Sequence, residues 1–472
     1  MPHTPERANP LMPPDADNAN PQGTTTGSAW RHAITQLRDR VQAWTQQEQG
    51  LLRASVPAPA CDPLAWLAAN PLAPRFYWQD RDGRVTLAGL GSAWQLEAEG
   101  PEAYRSLLEQ GQALARQADV RLLCGFSFDG QRGEAEWTGF PAGMALLPAV
   151  ALEADSQGRR LSVHLLADSA ETLQQRRAVL LDLLDGLQPA ETARMTGTAR
   201  ITSRRETPSH AEHQARIANL LADIEQDRLH KAVPARRVAL SLDRPLPALA
   251  TLQRWSALTG DSYTFAIEQG DRLFMGCSPE RLFRRNGRQV ETESLAGTVR
   301  RGASAEEDAA LASALRHDPK LIREHGWVTR YIRSELEPWT TAVEAPHEAR
   351  ILKLDRIQHR QLPIRATLRP AVGDNELIRA LHPTPAVCGF PRHPAQERIT
   401  RDEGFQRGWY SGVMGVLAGD SAEMAVAIRS ALVAAERAWC YSGVGVVRGS
   451  EPEAEWQELE AKIETFLAAV QG

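Results

Sequence analysis

At 472 residues, with 42% apolar and 24% charged side chains and a formal net charge of −5, the chain has the make-up of a globular protein with a sizeable core. It holds no concentrated basic block, so neither nucleic acid nor an anionic membrane surface is an expected partner. Its five scattered cysteines form no CxxC pair, it has no apolar run of about 18 residues, and it lacks a signal-like start; the expectation is reduced thiols in the cytoplasm, with no disulfide framework and no membrane span.

Residues 1–28 are rich in Pro, Asn, Asp, Thr and Gly and are expected to form a disordered tail, because too little apolar surface is present to offset the entropy of ordering. A helix is expected over residues 29–52, where Trp30, Ile34, Leu37, Val41 and Trp44 recur at three- and four-residue steps. From residue 75 the pattern turns to strands: 75–78, a turn at 80–83, then 85–87, 122–128, 144–152 and 161–166. A helix over 170–187 closes this N-terminal, sheet-rich half (residues 29–200), and 190–208 reads as a connection. The second half (201–472) opens with a helix from Ser209, whose N-cap hydroxyl and Glu212 have the capping-box spacing. Strands over 232–240, 263–268, 272–276, 424–432 and 439–447 then mix with helices over 306–315, 321–336 and from 453 onward. This order lacks strict strand–helix alternation, so the fold class is α+β with large antiparallel or mixed sheets.

Candidate chemistry lies in this second half. In the last helix Glu455, Glu458 and Lys462 share one face beside the apolar stripe of Trp456, Leu459, Ile463 and Phe466. Two carboxylates at that spacing suit a hard cation such as Mg²⁺, and they equally suit a solvated face with a Glu–Lys pair four residues apart. Glu280, in Ser278-Pro279-Glu280, follows an apolar strand, where a catalytic group or a simple turn fits. Lys231 enters a buried strand, where desolvation favours a lysine acting as base; a solvated edge lysine fits the same string. The glycines of 442–449 depart from GxGxxG and too few residues follow for a dinucleotide-binding unit, which leaves close backbone approach to an anion or a strand bend. Glu324-His325 and His359 lack the context of a zinc motif and read as structural or substrate-bonding histidines.

In order along the chain, eight strings resemble the chorismate-utilising family of isochorismate, salicylate, anthranilate and aminodeoxychorismate synthases. They are Lys231-Ala-Val-Pro-Ala-Arg-Arg237, Gly276-Cys-Ser-Pro-Glu280-Arg-Leu282, Ser294-Leu-Ala-Gly-Thr298, Leu381-His-Pro-Thr-Pro-Ala-Val-Cys-Gly-Phe-Pro391, Gly408-Trp-Tyr-Ser-Gly412, Ile428-Arg-Ser430, Gly443-Val-Gly-Val-Val447 and Glu455-Trp-Gln-Glu458. The resemblance implies a single large chorismate-binding fold, like anthranilate synthase component I, with extensive antiparallel sheets flanked by helices. It implies Mg²⁺ held by Glu324 and Glu458, with Glu455 close by through water. It implies Lys231 as general base and Glu280 as general acid. Gly297, Thr298, His325, Ala386, Val387, Arg429, Gly443, Gly445 and Lys462 become the substrate-binding set.

Within the family, water-using members carry lysine at the position of Lys231, and ammonia-using members typically carry glutamine. The resemblance is therefore strongest to isochorismate synthases of the menaquinone and siderophore type, with no glutamine amidotransferase partner and a monomer or homodimer expected. Ala296 and the 381–391 string agree. Pro234 and Val444 depart from the usual residues without removing a charge. A salicylate synthase, which forms isochorismate and then eliminates pyruvate, is the second reading. A non-catalytic chorismate-binding scaffold is the third, and the presence of Lys231, Glu280, Glu324 and Glu458 together speaks against it.

Overall fold

The computed structural model describes residues 22–45, 49–353 and 357–472. The expected tail falls largely outside these residues, and the backbone is helical from Gln22 to Gln42. The helix expected to reach residue 52 ends there. Gly50, at a φ of 91°, opens the strand Gly50–Pro57, and Leu51 and Leu52 pair along Gly158–Ala167 instead of prolonging the apolar stripe. The span read as a connection contains another strand, Ile201–Thr207. Its mostly exposed residues sit at a sheet edge and pair only with Ala235–Leu242, so no buried alternation marks it.

Two large sheets carry the molecule, one of 11 and one of 10 strands among the described residues, with a small third sheet of three. Every pairing among them is antiparallel, which agrees with the α+β expectation. Neither large sheet belongs to one half of the chain. In the first, Arg75–Gln79 pairs with Tyr263–Gln269; in the second, Arg121–Phe126 pairs with Val413–Ala418.

The strand period of two divides side chains between a shared inner layer and separate outer layers. Phe265, Ile267, Phe274 and Leu432 of the first sheet meet Leu123, Met144, Met414 and Ala425 of the second in one buried cluster. Their strand neighbours Ala266, Met275, Ala431 and Val433 face outward, against the helices Gln22–Gln42, Ala170–Gly186, Ala248–Thr259 and Pro452–Gln471. The outer face of the second sheet is covered by Ala103–Ala118, Pro319–Leu336 and Asp374–Leu381.

Trp137 is the aromatic centre of the inner layer. It is fully buried and packs on Phe140, Phe274 and Tyr441 at ring-centroid distances of 5.5, 5.2 and 5.7 Å. Gly408 makes room for it: a Cβ there would lie 2.3 Å from the indole, and the backbone is left-handed at a φ of 55°. Because Trp137 joins both halves, Trp137→Ala is expected to lower the stability of the whole chain by about 3–5 kcal/mol. Denaturant unfolding followed by tryptophan fluorescence and circular dichroism checks this, and a loss below about 1 kcal/mol contradicts it.

Candidate active site

The site forms where the chain passes between sheets. The strand Arg272–Ser278 lies in the first sheet and Arg281–Asn286 in the second, so Pro279 and Glu280 make the crossing. Ser421–Val426 lies in the second and Ser430–Ala434 in the first, so residues 427–429 cross back. The two crossings are bonded side by side. The Cys277 amide donates to the Arg429 carbonyl at 2.9 Å, the Val426 amide to the Glu280 carbonyl at 3.1 Å, and the Ser278 hydroxyl to the Val426 carbonyl at 2.6 Å. Arg429 takes a left-handed φ of 48°, a strained conformation for a non-glycine residue that the surrounding bonds hold in place. Glu280 and Arg429 are thus presented from adjacent breaks in the sheets.

Lys231 comes from the small third sheet. Its strand, Lys231–Ala232, pairs on one side with Gly389–Phe390 and on the other with Val446–Val447, which brings three of the sequence strings together. The side chain is fully buried, and Nζ donates to Glu324 Oε1 at 3.1 Å. Glu324 projects from the helix Pro319–Leu336, whose start is fixed by Pro319 and by Asp318, the N-cap, accepting the amides of Lys320 and Leu321. The glycine at 445 permits the approach: a Cβ there would stand 2.2 Å from Glu324 Oε1 and 3.0 Å from Lys231 Cε. Gly443 plays the same part toward Tyr410, whose hydroxyl would be 2.8 Å from an added Cβ.

The last helix completes the wall. Lys462 Nζ contacts Glu458 and the Gly443 carbonyl, each at 2.7 Å, and the Lys462 carbonyl accepts from Arg429 Nη1 at 3.2 Å. Glu280, Gly297, Glu324, Ala386, Val387, Arg429, Gly443, Gly445, Glu458 and Lys462 all line one cleft of about 700 Å³ including its mouth, and Lys231 reaches it through Glu324.

Three expected residues stand elsewhere. Glu455 is buried and paired with Lys320. His325 bonds the Ser294 carbonyl at 3.2 Å, away from the cleft, and burial brings its pKa down to about 4. The backbone of Thr298 pairs with His359, while its side chain lies outside the described residues. Conversely Tyr410, Ser442 and Ile428 line the cleft without an assigned role from sequence, and His359, read as a structural or substrate-bonding histidine, lines it too. Tyr410 and Ile428 do fall within the Gly408–Gly412 and Ile428–Ser430 strings, the signal that pointed to them.

The electrostatics divide the carboxyls into two kinds. Burial, reinforced by Glu293, pushes Glu280 up to about 8 against the pull of Lys231 and Lys462, so it holds a proton at neutral pH. Burial also works against charge on Glu458, but Lys462, Lys320 and Arg429 outweigh it and hold that carboxyl below its ordinary value. Burial brings Arg429 down to about 10, with Glu458 opposing, and it remains a cation. His359 is brought down to about 3 by burial and by Arg429, Lys462 and Arg81, so it presents a neutral ring. The cleft therefore offers a carboxylic acid, the carboxylates of Glu324 and Glu458, the cationic side chains of Arg429 and Lys462, and the buried amine of Lys231 that reaches it through Glu324.

An antiparallel two-sheet fold with a buried lysine, a protonated glutamic acid and a cationic wall presents a cleft whose chemistry suits acid–base work on a small anionic molecule. The family model for chorismate binding enzymes matches residues 36–471, and the chain belongs to that family. It is 33% identical to the salicylate biosynthesis isochorismate synthase of Pseudomonas aeruginosa, covering 93% of this chain and 94% of that one. It is 30% identical to the isochorismate synthase MenF of Bacillus subtilis over 84% of this chain and 88% of that one. The solved structure of MenF, the menaquinone-specific isochorismate synthase of Escherichia coli, superposes with a TM-score of 0.84 at 28% identity, over 94% of this chain and all of that one. Anthranilate synthase component I of Streptococcus pneumoniae, at 20% identity and a TM-score of 0.67 over 81% of this chain and 92% of that one, shares the fold.

Because Gly445 has no room for a side chain, Gly445→Ala is expected to displace Glu324 and Lys231 while the fold persists. A misplacement of this size costs turnover of chorismate about 10²-fold or more. Steady-state rates beside thermal unfolding test this; wild-type turnover would show that the Lys231–Glu324 contact is dispensable.

Proposed function

We propose that this chain is an isochorismate synthase, converting chorismate to isochorismate by adding water at C2 and expelling the C4 hydroxyl. The observation that carries the reading is the meeting, in one cleft, of fully buried Lys231 with protonated Glu280 beside Arg429 and Lys462. The overall reaction gains and loses one water. Lys231, acting as the neutral amine, takes a proton from the attacking water as the C2–O bond forms and becomes the ammonium. The ring diene shifts by one position, and the C4–O bond breaks as Glu280 delivers its proton to the departing oxygen. Hydroxide is a poor leaving group and water a poor nucleophile, so both proton transfers lower the barrier. Arg429 and Lys462, with backbone N–H groups around Gly443 and Gly445, bind the substrate carboxylates through charge-assisted hydrogen bonds.

The residues present fit Mg²⁺. Glu324 and Glu458 supply carboxylate oxygens from two helices that line the cleft, and Glu455, one turn from Glu458, is bonded to Lys320. Among the described residues no three acidic, histidine or cysteine side chains enclose a metal by themselves. This suits an ion that keeps water and substrate oxygens in its shell. Glu324 and Glu458 would hold it and Glu455 would act through water. When bound, it supplies an anchor for a substrate carboxylate and neutralises charge in a site that takes up a dianion.

Lysine at 231 supports water over ammonia as nucleophile, so no amidotransferase subunit is required, and the chain acts alone or as a homodimer. Its cysteines are all free among the described residues, and no described helix is long and apolar enough to cross a membrane, which supports a cytoplasmic setting. The product opens the routes to menaquinone and to salicylate- or catecholate-type siderophores.

Purified protein incubated with chorismate and Mg²⁺, resolved by chromatography with mass detection, is expected to give a new peak of unchanged mass, lost with chelator and indifferent to ammonium. Lys231→Ala is expected to stay folded and lose about 10²–10⁴-fold in turnover. Salicylate with pyruvate, an aminated product, or a fully active Lys231→Ala would each overturn the assignment.

A further inference from the structure

The polar groups around Glu280 continue behind the cleft into the N-terminal half. Arg81, in the turn between the strands Arg75–Gln79 and Thr86–Leu90, donates to the Pro279 carbonyl at 2.8 Å. It also donates to both carboxylate oxygens of Glu293, at 2.6 and 3.2 Å. Glu293 is buried on the strand Gln289–Arg300 and accepts from the Arg281 amide at 3.3 Å and from the Gln361 side chain. One ion pair therefore grips the backbone on both sides of Glu280: Pro279 through Arg81, and Arg281 through Glu293. The Arg81 guanidinium also lies over the Tyr263 ring, 5.8 Å from its centroid, which fixes its plane. Neither Arg81 nor Glu293 lines the cleft. A buried ion pair is weak as a source of stability, since desolvation offsets most of its attraction, so stability alone does not call for one here.

We propose that the Arg81–Glu293 pair positions Glu280 and that Glu293, tempered by Arg81, disfavours ionisation of its carboxyl, so that residues remote from the substrate set the working pH range of the proton donor. The proposal rests on the reading of Glu280 as general acid; Arg81 and Glu293 are positioning residues. Glu293 faces Glu280 from its own strand with a negative charge. Lys231 from the third sheet and Lys462 from the last helix oppose it, and Thr384 donates a hydrogen bond from the segment after Asp374–Leu381. Arg429, Glu324, Glu458 and neutral His359 complete the cleft around it. A nearby negative charge resists the appearance of a second one. Glu293→Gln removes that charge and leaves Arg81 uncompensated, and both changes favour the carboxylate of Glu280. Arg81→Met leaves Glu293 without its partner, with the opposite sign, and frees the Pro279 carbonyl.

The test is the pH dependence of chorismate turnover in the wild type, Glu293→Gln, Arg81→Met and Glu280→Gln. Activity that needs protonated Glu280 falls as pH rises through about 8 in the wild type. In Glu293→Gln that alkaline limb is expected to move down by about one pH unit or more with the low-pH plateau kept. In Arg81→Met it moves up, with a lower kcat and little change in KM. An alkaline limb that stays in place or rises in Glu293→Gln overturns the proposal. If Glu293→Gln does not fold, the direction of the shift in Arg81→Met decides, and no upward shift overturns it. Glu280→Gln separates the two readings. If it retains turnover, the acid assignment fails; if it is inactive while the limb of Glu293→Gln is unmoved, only the positioning role fails.

Discussion

Charge cannot be brought into a water-poor cleft without a partner, because the desolvation penalty per ion is several kcal/mol. This constraint organises the centre of the molecule. Lys231 is paired with Glu324, Lys320 with Glu455, and Lys462 with Glu458. Each pair gives a buried polar group a bonded partner, which offsets part of its desolvation, and each can be redistributed when an anionic substrate and a divalent cation arrive. Two buried groups depart from this pairing: Arg429 keeps its charge with the Lys462 carbonyl and the nearby Glu458 as partners, and Glu280, which has no cation bonded to it, answers burial by keeping its proton. The same physics that makes the other carboxylates binding groups makes this one an acid.

The architecture follows from the need to bring these groups together from distant parts of the chain. Lys231 and Glu324 are 93 residues apart in sequence, one on a short strand and one on a helix. A continuous sheet surface would offer only rows of side chains. The breaks at Pro279–Glu280 and at residues 427–429 instead let the chain leave one sheet for the other and turn functional groups into the gap. Glycine at 445 removes the side chain that would keep strand and helix apart. The N-terminal half is part of the same device, because its strands complete both large sheets and its Arg81 reaches the backbone beside Glu280.

Sequence reading reached the elements that carry their own local signal. The capping box of Ser209 and Glu212 is present with both hydrogen bonds, and the helix Pro319–Leu336 begins two residues before the expected 321. It failed where the signal is tertiary. The strand Ile201–Thr207 is defined by one neighbour, not by its own burial, and the helix ending at Gln42 is stopped by a backbone turn that the apolar spacing does not reveal. For the site, spacing alone left Lys231, Glu280 and Glu458 open between chemistry and ordinary surface roles, and the ordered set of strings pointed to the chemical reading. What no string contains is direction. Glu455 sits in its string and His325 follows Glu324, yet they turn to Lys320 and Ser294, while Ser442 and His359, outside the eight strings, face the cleft.

The central claim is that Lys231 and Glu280 exchange one hydroxyl of the substrate for another derived from water. The most direct test is conversion of chorismate in water enriched in oxygen-18, with isochorismate sampled during the initial rate and its mass read by fragment. The account predicts one solvent oxygen in the product, at the C2 hydroxyl and at no other position. Isochorismate free of the label would mean that the hydroxyl moves within the substrate, and the base-and-acid account of this cleft would be wrong.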